Sequence, residues 1–568
     1  MHQAIHNIAE ICARKQVKNI VLSPGSRCAP LTISFVRHPE ISVKTISDER
    51  SASFIALGMS QQLKQPVGLV CTSGSAAYNY APAVAEAFFQ QVPLIVFTAD
   101  RPPEWIDQLD GQTIRQKGLY YKHVKKSFEL PVSFEHPDAK WFGARIISEA
   151  INLARAYPPG PVHINVPLRE PLYPTPAEDI QFEKDIKIIE EIPAEQKLPA
   201  DTKANIFKEL LKFDKVLIVA GQADYEQEII EVLNTTISKL KLPIVADVIS
   251  NLHELGEVIR HHDLFLKGSN TLLQDLKPEL LLTFGNSVIS KNLKIFLRNN
   301  KPQAHWHIQP AGDVADTFQS LTKIIRETPL SFFNDLNIIS AEHLKNKSPY
   351  YEQWQKANLQ SGKYLEQFVK TMEFGEFKAL SNILEKLPAC NLHISNSMPV
   401  RYANILSIAA KKKGLQVNVN RGTSGIDGSN STAVGAALAS GNDTILITGD
   451  MAFFYDRNAF WNNYPVPNLK IIVLNNHAGG IFRIIDGPSN LPELSEYFET
   501  YQHLNAKGLA EEFGFSYESF EAEEDFLRAL TGFFEPSDKT KILEVISDSK
   551  KNHAIFTLFM KAINSFLA

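Results

Sequence analysis

Asp450, after Gly449 at the end of the apolar run Ile445-Leu446-Ile447, and Asn476, after a second run from Ile471 to Leu474, are the residues whose types and spacing carry the most chemistry. A helix-length segment separates the two runs, so they read as a strand, a crossover and a parallel strand, both ending on one sheet edge. That edge gathers a carboxylate, a side-chain amide oxygen and, from the glycine-bearing segment that follows, a backbone carbonyl near Ala478. All three are hard oxygen donors. Magnesium takes six oxygens in octahedral array and rarely draws all of them from protein, so this set leaves positions for phosphate oxygens and water. Turn residues after buried strands would give the same letters, and the pair alone does not choose between a metal seat and a turn.

The elements that must position these residues alternate along the whole chain. His2 to Lys15 carries a helical stripe of Ile5, Ile8, Ala9 and Cys12. Strands follow at Asn19–Leu22, Ser42–Ile46, Val67–Cys71, Leu94–Phe97 and Pro161–Val166, and nearly every one stops at a polar or glycine-bearing loop. Asp48 is placed to cap a helix with Glu49 in its first turn. A Pro-, Glu- and Lys-rich stretch from Tyr173 to Asn205 reads as a linker. Further strands are expected at Val216–Ala220, Ile244–Asp247 and Leu280–Phe284, and Pro329 to Gln360 reads as an irregular connection. Three doubly wound α/β domains with parallel sheets result, at 1–173, 205–327 and 362–568, with function at the carboxyl ends of the strands.

Composition bounds the partners. The 568 residues are 44% hydrophobic and 21% charged, with a net charge of -5 and a pI near 6.4, which gives no reason to expect nucleic acid or an acidic membrane surface. No apolar run approaches the roughly 20 residues that span a bilayer, and the N-terminus lacks the apolar core of a signal peptide. The four cysteines, Cys12, Cys28, Cys71 and Cys390, form no CxxC pair. A cytoplasmic protein with reduced thiols and no cysteine-based zinc site is the expectation.

Gly-Asp followed by Asn-Asn also resembles the cofactor signature of thiamine-diphosphate enzymes. Such chemistry needs a carboxylic acid beside the aminopyrimidine and an apolar residue that bends the cofactor. Glu49, among Ala52, Phe54 and Ile55, is a candidate for the acid, or an ordinary first-turn glutamate favoured by the helix dipole. Ile426, the apolar residue in a Gly-, Ser- and Asp-rich loop, is a candidate wedge or a simple core contact.

Several motifs, in order, narrow the resemblance: SPGSR at 23–27, SDERSA at 47–52, TSGSA at 72–76, TADRPPE at 98–104, GQTIRQ at 111–116, GPVHINVPLREPLY at 160–173, NRGTSGIDG at 420–428 and GGIF at 479–482. They resemble the MenD family, the 2-succinyl-5-enolpyruvyl-6-hydroxy-3-cyclohexene-1-carboxylate synthases of menaquinone biosynthesis. The likeness implies that 2-oxoglutarate is decarboxylated and the succinyl unit added to isochorismate, with thiamine diphosphate and Mg2+ or Mn2+ as cofactors. It makes Glu49 the activating acid and Asp450, Asn476 and the Ala478 carbonyl the metal ligands. Thr72, Ser397, Ile426, Gly449 and Ile481 become cofactor contacts. Ser26, Arg27, Gln112 and Arg401 become catalytic or substrate-binding, joined on the substrate side by Arg101, Lys291, Arg421 and Phe482. Two dicarboxylate substrates suit several arginines, which pair with carboxylates in bidentate fashion. The resemblance also implies a homodimer or homotetramer with each site shared between subunits. Asn292 stands where similar enzymes often have a second basic residue, and Ala478 where they often have Gly. The lack of a histidine pair after Glu49 suits a carboligase better than a simple decarboxylase.

Overall fold

Short aliphatic runs, each stopped by a polar or glycine residue, form the strands, and in a computed structural model they assemble into three successive parallel sheets. The structure describes residues 3–175, 180–194, 196–338, 348–485 and 487–567. The first sheet holds β1 (Asn19–Leu22), β2 (Ser42–Thr45), β3 (Val67–Cys71), β4 (Leu94–Asp100), β5 (Ser127–Glu129) and β6 (Val162–Pro167) in the order β2-β1-β3-β4-β6-β5. The second holds β7 (Val216–Ala220), β8 (Ile244–Ala246), β9 (Leu280–Phe284), β10 (Ala304–Ile308) and β11 (Lys323–Ile325) in the order β11-β10-β9-β7-β8. The third holds β12 (Asn391–Ile394), β13 (Gln416–Asn418), β14 (Thr444–Gly449), β15 (Leu469–Asn475), β16 (Ser516–Phe520) and β17 (Lys541–Ile546) in the order β13-β12-β14-β15-β17-β16. The central strands β3, β4, β6, β7, β9 and β15 are buried along their whole length, as sheets covered by helices on both faces require.

The expected N-terminal helix forms from Gln3 to Arg14; His2 lies outside the described residues. Residues of the expected linker run back along this helix, where Asn7 Nδ2 donates to Glu183 and Lys15 Nζ to the Ile189 carbonyl. Part of that linker, 176–179 and 195, is outside the described residues.

The irregular connection expected at Pro329–Gln360 is corrected. Pro329–Leu336 is a helix, capped by Thr328, whose hydroxyl accepts from Ser331 N, and a second helix runs from Ser348 to Thr371; 339–347 lie outside the described residues. The second helix buries Tyr350, Tyr351, Trp354, Ala357, Asn358, Ser361 and Leu365, a stripe at helical spacing. Aromatic and polar residues share that stripe, so it does not read as apolar periodicity, and an expected third domain opening at 362 begins inside this helix.

The first and third sheets share a core through two crossing helices. Glu49–Leu63 packs on Ser429–Ala439, and both backbones approach at glycines: a Cβ on Gly58 would stand 2.0 Å from the Thr432 carbonyl oxygen, and one on Gly435 2.0 Å from that of Ile55. Buried residues of both sheets, among them Val21, Leu69, Val96, Leu446 and Ile471, belong to one continuous apolar cluster. Among the described residues no helix is long and apolar enough to cross a membrane.

The crossing gives a direct test. Gly435→Ala forces backbone apart in a filled core and is expected to cost about 2 kcal/mol or more, read as a lowered thermal unfolding midpoint; an unchanged midpoint would contradict the packing described.

Candidate active site

The third sheet delivers its polar residues to one edge. β14 and β15 pair in parallel register from Thr444↔Leu469 to Gly449↔Leu474, so Asp450 and Asn476 emerge beside each other. Asp450 opens the helix Asp450–Tyr455 and is 2% exposed, with one carboxylate oxygen accepting from Gln502 Nε2 at 2.7 Å. Burial pushes its pKa up to about 7 against the opposing pull of Gln502 and nearby amides. Asn476 Nδ2 donates to Glu376 Oε1 at 2.7 Å, and its Oδ1 accepts from Ala478 N at 3.0 Å. The Ala478 carbonyl accepts from Gly480 N at 2.9 Å. Glu376 is buried, and burial, then the charge of Asp450, raises its pKa to about 8.

One carboxylate, one oriented amide oxygen and one carbonyl form an all-oxygen donor set suited to a hard divalent cation that keeps outside ligands. Among the described residues no group of three or more His, Cys, Asp or Glu could hold a metal ion.

Along the same sheet, Ser397 opens the helix Met398–Leu406 at φ +73°, and its carbonyl accepts from Arg401 Nη1 at 2.6 Å. Asn396 binds the loop at 420–428, donating to the carbonyls of Asn420 (2.6 Å) and Gly425 (2.7 Å) and accepting from Arg421 Nη1 (2.9 Å). Glu86 of the first domain clamps that loop from outside, accepting from Gly422 N and from Thr423 N and Oγ1. Ile426 lies half-buried between these anchors. Burial lowers the pKa of both Arg401 and Arg421, and Arg401 is lowered further by Arg421's charge. Neither forms a salt bridge among the described residues, and Arg421 Nε is buried with no hydrogen-bond partner. Arg421, half-buried, and Arg401, exposed, offer two guanidiniums to an anionic guest. Ile481 and Phe482 fall in the turn Gly480–Arg483, Ile481 against the third-domain core and the Phe482 ring 5.8 Å from that of Phe498.

The first sheet gathers a second group. Glu49 is the first residue of its helix, capped as expected by Asp48, which accepts from Arg50 N (2.9 Å) and Ser51 N (3.3 Å). Glu49 Oε2 accepts from Asn79 Nδ2 at 3.4 Å. Arg27 is buried, donates to the Leu168 carbonyl at 3.0 Å and lies 3.6 Å from Glu170; burial, then Arg101, lowers its pKa. Ser26 beside it is exposed. Arg101 donates to the Gly111 carbonyl at 3.0 Å and pairs with Asp110. Gln112, at φ +56°, lies beside Gly74, whose own φ of +85° favours glycine. Thr72 is buried with its hydroxyl unpartnered.

Among the described residues no hydrogen bond or ion pair joins the Glu49 group to the Asp450 group. Glu49's neighbours do touch the third domain: Asn458 Nδ2 donates to Asp48 at 2.7 Å, and Arg50 to the Tyr455 carbonyl at 3.0 Å.

Lys291, the expected middle-domain contact, is exposed at the start of helix Lys291–Asn299, and Asn292 turns away to donate to the Asp263 carbonyl. Sequence reasoning passed over Lys294, one turn further, whose pKa is lowered by burial and by Arg421 among others. It also passed over Glu376 and Gln502. Glu376 had one signal, an acid between aromatics at Phe374-Gly375-Glu376-Phe377 on the stripe that helix Glu376–Lys386 buries; Gln502 had none.

A buried clamp holds the substrate-side helices. Asp247 accepts from Asn404 Nδ2 (3.1 Å), pairs with His262 Nε2 (3.1 Å), and accepts from the backbone N of Ile289 and Ser290. Asn404 sits on the Arg401 helix and accepts from Val248 N at 2.9 Å. Burial alone would raise Asp247's pKa, but His262 and the two amides outweigh it and the net is lowered. Burial alone would lower His262's, but Asp247 and Asp263 outweigh it and the net is raised.

Comparison with known proteins agrees with this layout. Residues 3–119 match the thiamine pyrophosphate enzyme N-terminal TPP binding domain, 193–393 the middle domain, and 403–545 the C-terminal TPP binding domain. Proteins named 2-succinyl-5-enolpyruvyl-6-hydroxy-3-cyclohexene-1-carboxylate synthase are similar throughout. That of Cytophaga hutchinsonii is 47% identical, covering 99% of each chain, and that of Flavobacterium psychrophilum 42%, covering 98% of each. That of Christiangramia forsetii is 38% identical, again over 98% of each.

Removing the clamp's acid should show a signed pH dependence. Asp247's depressed pKa makes its contribution to stability present above about pH 4 and lost as pH falls through the folded value. His262's raised pKa makes its contribution full below about pH 6.5 and lost as pH rises through the folded value. Asp247→Ala is therefore expected to cost on the order of 3 kcal/mol at pH 6 and less at pH 9 in urea unfolding. Equal losses at the two pH values would contradict a charged pair.

Proposed function

This chain belongs to the family of 2-succinyl-5-enolpyruvyl-6-hydroxy-3-cyclohexene-1-carboxylate synthases, thiamine-diphosphate-dependent enzymes, and on that footing we propose that it decarboxylates 2-oxoglutarate and joins the succinyl unit to isochorismate in menaquinone biosynthesis. The observation that carries the reading is the oxygen edge of Asp450, Asn476 and Ala478 on the same sheet as the unpaired Arg401 and Arg421. Asp450, Asn476 Oδ1 and the Ala478 carbonyl would hold Mg2+ or Mn2+, which would supply the positive charge that a diphosphate needs. Bound thiamine diphosphate supplies a nucleophilic carbon and a sink for the electrons left when carbon dioxide departs.

The chain's own residues bind, orient and manage protons. Glu49 would hold a proton at N1' of the pyrimidine ring, Ile426 would support the cofactor from the loop clamped by Glu86, and Thr72, Ser397, Gly449 and Ile481 would line its seat. Arg401, Arg421, Arg27 and Arg101, with Ser26, Gln112 and Lys291, take the substrate carboxylates and polar groups. Phe482 supplies an apolar wall. Guanidiniums held by neighbouring carbonyls can meet a dicarboxylate through paired, charge-assisted hydrogen bonds. The family resemblance carries the further reading of a homodimer, or a tetramer of such dimers, in which Glu49 of one subunit serves the metal edge of the other. Four free, buried cysteines are in keeping with a reducing cytoplasm.

Two assays test this. With magnesium and thiamine diphosphate, the protein is expected to release carbon dioxide from 2-oxoglutarate while consuming isochorismate, and Glu49→Gln to lower turnover by about a hundredfold to ten-thousandfold. Turnover of pyruvate alone would overturn the substrate assignment. Mixing Glu49→Gln chains with Asp450→Ala chains should restore partial activity through hybrid sites, and none from verified heterodimers would overturn the sharing.

A further inference from the structure

Asn476 can hold a cation only through its amide oxygen, and an asparagine amide is free to turn either end toward a ligand unless its neighbours forbid it. Both neighbours here are directional. Ala478 N is a donor and sits 3.0 Å from Oδ1; Glu376 Oε1 is an acceptor and sits 2.7 Å from Nδ2. A flipped amide would set two donors against each other at Ala478 and two acceptors at Glu376. Backbone geometry supplies the first restraint, so among the described residues the side chain that fixes the amide is Glu376. We propose that Glu376 is a positioning residue for the cofactor's divalent cation, holding the Asn476 amide so that its oxygen joins Asp450 in the donor set.

The placement of Glu376 fits that task and no other visible one. It is the first residue of the helix Glu376–Lys386, 2% exposed, with its backbone N tied to Asn552 Oδ1 at 3.2 Å and Asn552 tied in turn to Ser547. Its second oxygen, Oε2, is buried with no hydrogen-bond partner. A core acid that served packing alone would be replaced at less cost by an apolar side chain, because an unsatisfied buried carboxylate oxygen is penalised. Groups one step behind a metal ligand commonly matter about tenfold to a hundredfold in affinity.

The inference rests on the reading that Asp450, Asn476 and Ala478 seat the cation, and the experiment separates the two. Thiamine diphosphate binding to the full-length protein is measured by calorimetry across a magnesium titration. Circular dichroism and the melting midpoint of the cofactor-free protein report folding. Glu376→Leu is expected to stay folded and to raise the magnesium concentration for half-saturation about tenfold to a hundredfold, and Glu376→Gln, which keeps an acceptor for Nδ2, to recover most of the loss. An unchanged magnesium requirement in folded Glu376→Leu overturns the proposal. Should that variant fail to fold, Asn476→Asp decides. It sets two carboxylates together, and adding Glu376→Gln should restore magnesium affinity, whereas additive losses overturn the proposal. Asp450→Ala in the same titration marks the underlying reading. If it binds like the parent, the cation seat is elsewhere and both claims fall; if it loses binding while Glu376→Leu does not, only the role of Glu376 falls.

Discussion

A carboxylate buried at the end of a parallel strand is the constraint on which the third domain depends. Asp450 is removed from water by β14, β15 and the turns beyond them, and one side-chain donor, Gln502, does not offset the loss of hydration. Its raised pKa expresses that deficit, as does the raised pKa of Glu376 close by. A buried, under-compensated acid is costly to stability and is kept where it does chemistry. A cation arriving at this edge would turn the deficit into binding energy, which is why the donor set and its charge belong to one account.

Around that edge the molecule spends its buried polar groups on holding loops. Asn396 and Glu86 fix the loop at 420–428 from two domains, Asp247 and Asn404 tie the Arg401 helix to the middle domain, and Gln116 joins the Gly74 turn to Ala99 and Asn165. The functional side chains thus sit on loops, while the contacts that fix them reach back into strands and helices. The crossing at Gly58 and Gly435 locks the first and third sheets into one core. Relative motion of those two domains is opposed by apolar burial rather than by surface ion pairs.

Much of this is legible in the sequence, for identifiable reasons. Strands such as Val67–Cys71 and Leu280–Phe284 are short aliphatic runs with sharp polar stops, and they form with the expected bounds. Asp48 caps its helix as its type and place dictate. Asp450, Asn476 and Ala478 are found together because parallel strands bring their ends to one edge. The helix Ser348–Thr371 was hidden because its buried stripe mixes Tyr, Trp, Asn and Ser. Lys291 is exposed while Lys294, half-buried, feels the charge of Arg421, since which face of a helix meets another domain is set by tertiary packing. Glu376 stood out only as an acid among aromatics, and its role did not show because its partner lies a hundred residues away, joined when the helix Glu376–Lys386 packs against the sheet edge.

The central claim is that a divalent ion on the Asp450 edge anchors thiamine diphosphate. The most direct measurement is equilibrium binding of thiamine diphosphate to the purified, folded protein with magnesium and again after chelation. The account predicts saturable binding that is lost with the chelator and restored by magnesium. Binding indifferent to the metal, or no binding with magnesium present, would contradict it.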